Sequence, residues 1–344
     1  MEDAYSIIAT RHKYPDSASY RRLLEFLLNP LQARLAVEMP ANAEDLASKL
    51  GVSPSEVATA LDDLLHRGII YPKEHSQPPI YKCWAVPDLL FYSVCAYKPA
   101  TPEGKKMIGL WLDFYKDWYP QLAQTFAAKP MPEERVIPAY KAIKDTSELH
   151  ACEDVRELIK AARVIALVDC PCRVVVQKCH GALDTCFMFD QIADIYLAQG
   201  IARQLSVEEA LRLTDKAEDE GQVHTWINSS FMHNRFMCNC CDDCCIVWAP
   251  LIQHDVSVGK RLAKSRFQTE VDSNKCSGDC PICVERCLFH AIEIRQVPGS
   301  TKPRAVIDDE KCWGCGLCVL KCQPGALSMK LVRPLDHIPG LAPV

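Results

Sequence analysis

The placement of cysteine constrains this chain more than any other feature. The sequence holds 20 cysteines in 344 residues, and seventeen of them crowd between Cys170 and Cys322. Disulfide frameworks suit small secreted domains, whereas a large chain without an export signal works where thiols stay reduced. The start of this chain lacks the basic and then apolar layout of a signal peptide. We therefore expect a cytoplasmic protein whose clustered thiolates bind metal.

Composition excludes several other classes. Apolar residues make up 49% of the chain and charged residues 24%, which argues against a disordered or fibrous protein. The formal net charge of −5 provides no overall basic field for nucleic acid or an anionic membrane. No apolar run approaches the roughly 20 residues of a membrane helix, so we expect no membrane span. The length suits two or three domains.

Two matched cysteine motifs lie near the end of the chain. The gaps between cysteines are three, two and three residues in the first motif, and two, two and three in the second. In such loops three thiolates bind one cubane, while the fourth turns away and ligates the other cluster. This spacing predicts two [4Fe-4S] clusters with crossed ligands. One cluster would use Cys276, Cys280, Cys283 and Cys322, and the other would use Cys312, Cys315, Cys318 and Cys287.

The segments between these motifs, AIEIRQ and RAVIDD, alternate like two strands around a turn at 298–300. The repeat resembles a bacterial-type two-cluster ferredoxin domain over about residues 272–331. Two details depart from that family: Leu288 follows Cys287 where proline is usual, and the proline after Cys322 is displaced to Pro324. The first gap is also one residue longer than usual. A zinc site or idle thiols are the alternative for these cysteines.

Nine further cysteines form two central groups. They are Cys170, Cys172, Cys179 and Cys186 in the first group, and Cys238, Cys240, Cys241, Cys244 and Cys245 in the second. Cys238, Cys241 and Cys244 repeat the ferredoxin loop spacing, and a remote ligand from the first group would complete a cubane. We expect at least one additional iron–sulfur cluster here. A second or larger cluster, a zinc knot and metal-free redox thiols remain open.

The central motifs carry a second resemblance. The residues concerned are DCPCR (169–173), Cys179, Cys186, the SVEEAL helix start, GQVHTWIN (221–228) and CNCCDDCC (238–245). With the ferredoxin repeat behind them, they resemble a group of proteins from anaerobic bacteria and archaea described only as 4Fe-4S binding proteins. The resemblance covers about residues 150–331. It implies electron transfer in anaerobic metabolism and supplies no substrate.

Two side chains other than cysteine are candidate cofactor-binding residues. Arg173 follows the CPC turn, where it would balance the negative charge of a thiolate-bound cluster, and a solvated or salt-bridged arginine is the alternative. His224 and Asn228 are four apart on a possible helix face and would orient a ligand. A satisfied structural histidine is the favoured interpretation of His224.

The region from 20 to 86 is typical of three helices followed by a hairpin and resembles the winged helix-turn-helix fold. Its third helix begins Ser53-Pro54-Ser55-Glu56-Val57-Ala58, without the arginine, lysine, asparagine or glutamine that read base edges. Residues 20–80 hold six lysines or arginines against eight acidic residues. We therefore expect this module to dock a redox partner or a larger oxidoreductase complex, and DNA is an unlikely ligand.

Together these patterns predict an α+β, multidomain chain. The expected parts are a winged-helix domain (1–86), a helical segment and linker (87–150), a central mixed α/β cysteine-rich domain (151–270) and a ferredoxin-like two-cluster domain with a tail (271–344). The proline-bearing segment 129–138 is the expected linker. The leading function is an electron-transfer protein or oxidoreductase subunit. The alternatives are an iron–sulfur redox-sensing transcription regulator and a reductase with its active site at the central cluster.

Overall fold

The computed structural model of the protein describes residues 3–73, 76–86, 88–97, 99–179, 181–234, 236–246, 248, 251 and 256–341. The chain divides into two units. Unit 1 comprises Met1–Leu122, Val168–Gln177 and Ile195–Arg203, and unit 2 comprises Ala123–Leu167, Lys178–Asp194 and Gln204–Val344. The predicted central and ferredoxin-like regions therefore lie mostly in one unit. The finer division into four domains stays a prediction.

Unit 1 begins with five helices. They are α1 (Ala4–Arg11), α2 (Ala18–Leu27), α3 (Pro30–Glu38), α4 (Ala43–Leu50) and α5 (Pro54–His66). Ser53 caps α5 by accepting from the Glu56 amide, and the Glu56 side chain accepts from Ser53 in return. An antiparallel hairpin of β1 (Ile70–Pro72) and β2 (Tyr81–Cys83) follows α5. The predicted order of helices and hairpin is thus present.

Three further helices contribute to unit 1. They are α6 (Asp88–Ala96), the 26-residue α7 (Pro102–Ala127), whose last residues belong to unit 2, and α10 (Pro171–Val176). The aromatic side chains of α7 are the buried ones, with Trp111, Phe114 and Trp118 all at 1% exposure or less. Among the described residues, no helix is long and apolar enough to cross a membrane.

A seven-stranded sheet has the strand order β6-β4-β5-β8-β7-β3-β9. The strands are β3 (Glu134–Ile137), β4 (Ile165–Asp169), β5 (Asp184–Phe189), β6 (Arg203–Leu205), β7 (Val223–Ile227), β8 (Phe236–Cys240) and β9 (Leu262–Ala263). Strands β7 and β8 pair antiparallel, with Thr225 opposite Cys238 and His224 opposite Asn239. Strand β3 lies within the segment expected to be a linker. All four of its residues are buried, and the strand lies between β7 and β9 in the sheet.

One face of this sheet carries the apolar core of unit 2. Phe187, Trp226 and Met237 on the strands pack with apolar residues of the helices, including Leu158 and Ala210. The helices after β3 are α8 (Tyr140–Ile143), α9 (Val155–Ala161), α11 (Asp190–Ala198) and α12 (Val207–Asp219). Since side chains alternate along a strand, the residues between the core positions face the other side of the sheet.

Two small antiparallel sheets carry the terminal cysteine motifs. They pair β10 (Phe267–Val271) with β13 (Leu327–Leu331), and β11 (Ile292–Arg295) with β12 (Arg304–Ile307). Each motif also contains a short helix, α13 (Ile282–Glu285) in the first and α14 (Leu317–Leu320) in the second. The two strands predicted around the turn at 298–300 are therefore confirmed. A small core of Ile292, Ala305, Cys318 and Leu327 packs against four more of the terminal cysteines, which are Cys276, Cys283, Cys287 and Cys322.

Candidate metal centres

The terminal cysteines are surrounded by hydrogen-bond donors that suit thiolates. Three backbone amides donate to their sulfurs: Ala291 N to Cys287 Sγ at 3.2 Å, Ala305 N to Cys276 Sγ at 3.4 Å and Ala326 N to Cys322 Sγ at 3.3 Å. The Thr269 hydroxyl also lies 3.4 Å from Cys318 Sγ. Hydrogen bonds to cluster sulfurs are one of the means by which a protein sets a cluster's potential.

The sulfurs of these eight cysteines fall into two neighbourhoods. Burial raises the pKa of Cys283, and the thiolates that raise it further are Cys276, Cys322 and Cys280. Burial likewise raises the pKa of Cys315 well above its usual range, with added contributions from Cys318, Cys287 and Cys312. Neighbouring thiolates raise each other's pKa because like charges repel. Cys283 is thus grouped with Cys276, Cys280 and Cys322, and Cys315 with Cys287, Cys312 and Cys318, while Cys283 also raises the pKa of Cys318 across the two sets.

A cavity marks the second neighbourhood. Its walls include four sulfur-bearing residues, Cys287, Cys312, Cys315 and Cys318, and the apolar side chains Phe289, Ile292, Ile307 and Trp313. Four converging thiolates within an apolar wall are the donor set and the surroundings that a [4Fe-4S] cluster requires. The residues present therefore fit the cluster that the spacing predicts.

The central cysteines are arranged by the alternation of strand β8. Cys238 and Cys240 point to one face of the sheet, and Asn239 between them points to the core face. Hydrogen bonds with Cys238 and Cys245 raise the pKa of Cys240 well above its usual range. Because Phe187 pairs with Met237, the same register sets Cys186 opposite Cys238. We call Cys186, Cys238, Cys240 and Cys245 the sheet-face group.

A buried ion pair lies beside the sheet-face group. Arg261 Nη2 is 2.5 Å from Glu134 Oε1, and both side chains are about one tenth exposed. Burial raises the pKa of Glu134 to about 7, and the Arg261 charge opposes that rise while the Cys238 thiolate adds to it. Burial lowers the pKa of Arg261, and the carboxylates of Glu134 and Glu133 raise it, with smaller contributions from the Cys238 and Cys245 thiolates. This buried cation lies close to the thiolates and is paired with both Glu133 and Glu134. The sequence motifs did not indicate it.

A second group of ligand atoms lies in the loop after β8. Its members are Cys179, Cys241, Asp243 and Cys244, whose ligand atoms all lie within 4.8 Å of one another. Cys241 Sγ is 3.8 Å from Cys179 Sγ, and the Cys179 amide donates to Cys244 Sγ at 3.1 Å. Burial raises the pKa of Cys244 to about 11. We call these four residues the loop group, and Asp243 is the member that sequence spacing missed.

The predicted trio of Cys238, Cys241 and Cys244 is thus distributed over two groups. Cys241 and Cys244 meet Cys179, whereas Cys238 lies with Cys240 on the sheet. The reason is that β8 continues through Cys240, so the first part of the motif has the period of a strand instead of a loop. Of the four candidates for the remote ligand in the first group, Cys179 and Cys186 belong to unit 2, and Cys170 and Cys172 belong to unit 1.

The CPCR turn forms part of unit 1. Cys170 is the N-cap of α10, and Cys172 and Arg173 lie in its first turn with less than one tenth of their surface exposed. The sulfur of Cys95 on α6 lies 3.9 Å from the carbonyl oxygen of Asp169. Burial raises the pKa of Cys95, and the Cys170 thiolate raises it further. The apolar residues around position 95 in the sequence predict a packed thiol. Nothing in its spacing predicts that it meets Cys170.

His224 lies on strand β7, so the predicted helix face of His224 and Asn228 is wrong. The segment is rich in β-branched and aromatic residues, which favour a strand. His224 Nδ1 is 2.5 Å from Asn239 Oδ1, and its Nε2 is 3.4 Å from the buried Glu218 carboxylate. It shares the core face of the sheet with Asn239, opposite to Cys238 and Cys240. Its partners are thus protein groups of strand β8 and helix α12.

Comparison with known proteins identifies the terminal region alone. A family model described as a 4Fe-4S dicluster domain matches residues 275–326, a range that contains all eight terminal cysteines. No curated protein and no solved structure matches the chain. The terminal region therefore carries two [4Fe-4S] clusters.

Proposed function

We propose that this protein passes single electrons through its two terminal clusters, as an electron-transfer protein or as one subunit of an oxidoreductase. The observation that carries the proposal is the pair of cysteine quartets within the matched dicluster region. A cubane, when bound, accepts or releases one electron at a potential set by its ligands and their hydrogen bonds. The chain supplies buried sulfurs, amide donors and apolar walls for that chemistry.

The ligands of these clusters are crossed between the motifs in this proposal. Cys276, Cys280, Cys283 and Cys322 hold one cluster, and Cys287, Cys312, Cys315 and Cys318 hold the other. The thiolate neighbours of Cys283 and of Cys315 support this assignment, and so does the cavity lined by the second set.

The central region holds at least one further iron–sulfur cluster in the same proposal. The sheet-face group supports it, because it gathers four cysteines: Cys238, Cys240 and Cys245, which neighbour one another, and Cys186, which lies across the strand pair. The buried charge of Arg261 beside Cys238 and Cys245 would offset the negative charge of a thiolate-bound cluster. Such a cluster would receive electrons from the terminal pair or deliver electrons to it.

Iron and acid-labile sulfide counts on the full chain, purified without oxygen, test these proposals together with EPR of the reduced protein. We expect more than the eight irons of two cubanes, and a spectrum of interacting [4Fe-4S] centres. Eight irons with that spectrum would contradict the further cluster and leave the electron-transfer function standing. A protein whose clusters cannot be reduced would contradict the function itself.

Two cysteine variants show how much of the iron in that experiment belongs to the further, central cluster. Cys240→Ser should lower the iron count by the share of the further cluster, because Cys240 binds both Cys238 and Cys245. Cys152→Ser is the matched control, since Cys152 is a buried cysteine of the same unit that belongs to none of the groups. Equal iron counts in both variants would show that the sheet-face group binds no iron.

The N-terminal helices and hairpin form a winged helix in our proposal, and that module docks a redox partner protein. Its helix α5 offers little to a phosphate backbone, because the charge of Arg67 is engaged by Asp63 at 2.6 Å. Three other arginines of this module, which could together form a basic patch, also have protein partners. Arg21 contacts Asp3 and Glu25, Arg22 contacts Asp113, and Arg34 donates to the Leu50 carbonyl.

The second candidate function is an iron–sulfur redox-sensing transcription regulator, which the order of helices and hairpin favours. Fluorescence anisotropy with genomic fragments at low salt, on the oxidised and the reduced protein, separates the two. We expect weak binding that is independent of sequence and lost with added salt. Saturable, sequence-dependent binding that changes with redox state would favour the regulator.

A further inference from the structure

The loop group is spaced for a single metal ion. Its four ligand atoms lie within 4.8 Å of one another, and two of its sulfurs are 3.8 Å apart. In a tetrahedral site with metal–sulfur bonds of about 2.3 Å, two thiolate ligands are separated by about 3.8 Å. The observed sulfur separation is therefore the edge of a tetrahedron around one ion.

The spacing of the terminal cysteines can be compared with that of the loop group within the same chain. In a cubane each thiolate binds its own iron, so the sulfurs are held apart by the width of the iron–sulfide core. Across the residues that the structure describes, the loop group is the one set of potential ligands gathered within 4.8 Å, and the terminal quartets are not gathered in this way. The terminal cysteines are thus spaced widely and the loop ligands closely.

The donor set also suits a single ion. Three thiolates and a carboxylate give the four ligands of a tetrahedral zinc-type site, and thiolates select Zn²⁺ or Fe²⁺ over hard cations. Cys244 is buried and accepts a hydrogen bond from the Cys179 amide, which fixes its sulfur toward the group. Asp243 is exposed and closes the fourth position from the solvent side.

We propose that Cys179, Cys241, Asp243 and Cys244 bind one tetrahedral divalent ion, Zn²⁺ or Fe²⁺, separate from the iron–sulfur clusters. The ion ties the loop that follows β8 to residue 179, more than sixty positions earlier in the chain. That loop also carries Cys245, a member of the sheet-face group. The ion therefore holds the loop in place over the sheet, and this role is independent of the proposed electron transfer.

Metal analysis of the full chain, purified without oxygen, tests the site with Cys241→Ser and the control Cys152→Ser. We expect Cys241→Ser to lose one metal ion per chain and no acid-labile sulfide, with the EPR signals of the terminal clusters unchanged. Cys152→Ser should keep the wild-type metal content. Loss of iron and sulfide in equal amounts from Cys241→Ser would overturn the proposal, since it would show that Cys241 ligates a cluster. Unchanged metal content in Cys241→Ser would overturn it as well.

Cobalt replacement gives a second readout that does not depend on removing a cysteine. Reconstitution with Co²⁺ should produce the absorption of a tetrahedral cobalt thiolate. Asp243→Cys should intensify the thiolate-to-cobalt band by about one third, because four thiolates then replace three. The adjacent Asp242→Cys is the matched control and should leave the band unchanged. Equal responses of the two variants, or an octahedral cobalt spectrum, would contradict the assigned ligand set.

Discussion

The two cysteine-rich regions of this chain differ in how their ligands are brought together. In the terminal region three cysteines of each neighbourhood come from one short motif, and the fourth comes from its repeat. In the central region the grouped side chains come from two strands, a loop and residue 179. In the terminal region, the spacing of the cysteines is therefore enough to predict which of them lie together. In the second, the strand register decides which sulfurs meet.

The same spacing has different structural consequences in the two regions. The gaps of two and two residues around Cys312, Cys315 and Cys318 leave the three sulfurs around one cavity. The equal gaps around Cys238, Cys241 and Cys244 begin on a strand that ends at Cys240. A strand has a period of two, so Cys238 is grouped with Cys240 instead of with Cys241.

The largest effect that sharpens this comparison is expected from the crossed cysteines. Cys287→Ser should remove or alter the cluster that Cys315→Ser alters, because Cys287 lies among the thiolates around Cys315. Cys283→Ser should alter the other cluster. EPR spectra of the three reduced variants, with iron counts, measure this. If Cys287→Ser and Cys283→Ser affect the same cluster, each motif binds its own cluster and the crossed assignment is wrong.

The next largest effect is a difference in stability between alanine variants of two glycines in the terminal region, both of which have a left-handed backbone conformation. Gly314 has φ of +70°, and a Cβ there would overlap the Phe267 carbonyl oxygen and the Ser265 hydroxyl. Gly299 has φ of +76°, with no atom within 4 Å of the same position. Alanine at either site carries the left-handed strain of about 1–2 kcal/mol, and at Gly314 overpacking of about 1–3 kcal/mol is added.

Thermal unfolding without oxygen, followed by the cluster absorption, measures the difference. Gly314→Ala should melt well below Gly299→Ala and lose iron from the second cluster first, because Gly314 lies between Cys312 and Cys315. Equal melting temperatures would show that the β10 segment moves aside at little cost.

Local patterns in the sequence predicted most of the elements that place these sites. The start of α5 at Ser53, the start of α12 at Ser206 and the two strands between the terminal motifs are all present. Each depends on residues within a few positions of one another. The strand β3 within the expected linker was missed, because its burial depends on pairing with Trp226 and Ala263, far along the chain.

The meeting of Cys179 with Cys241 was likewise beyond sequence spacing. Sixty-two positions separate the two cysteines, and only the folded path of β5, β7 and β8 brings them within 3.8 Å. The participation of Asp243 could have been suspected, since it lies inside the CNCCDDCC run. The choice of Asp243 over its neighbour Asp242 depends on the loop geometry.

A smaller effect tests the two faces of the central sheet. His224→Leu should destabilise the protein by about 1–3 kcal/mol, because the side chains of Asn239 and Glu218 lose a buried partner. Its metal content should not change, since the thiols lie on the opposite face. Denaturant unfolding and metal analysis measure both effects. The exposed His233→Leu is the control and should change stability by less than about 0.5 kcal/mol. If His224→Leu lost metal without losing stability, His224 would be a cofactor-binding residue after all.

The smallest effect concerns a cation between the central and terminal parts of unit 2. The Arg286 guanidinium donates to the carbonyl oxygens of Leu317 at 3.1 Å, Glu218 at 2.7 Å and Asp219 at 3.0 Å. Burial lowers its pKa, and the Asp219 carboxylate opposes that change, as do the thiolates of Cys315 and Cys318, so its charge also lies near those two sulfurs. A nearby cation stabilises the more negative, reduced state of a cluster.

Arg286→Gln should therefore lower the reduction potential of the cluster bound by Cys315 and Cys318 more than that of its partner. Redox titrations monitored by EPR resolve the two shifts. Lys321→Gln is the matched control, because Lys321 also precedes a terminal cysteine but is two fifths exposed and paired with Asp219. Solvent and salt screen such a charge, so its shift should be smaller and should fade at high ionic strength. Equal shifts of both clusters in Arg286→Gln would show that the cation acts on the whole region, and the two neighbourhoods would then not be electrostatically distinct.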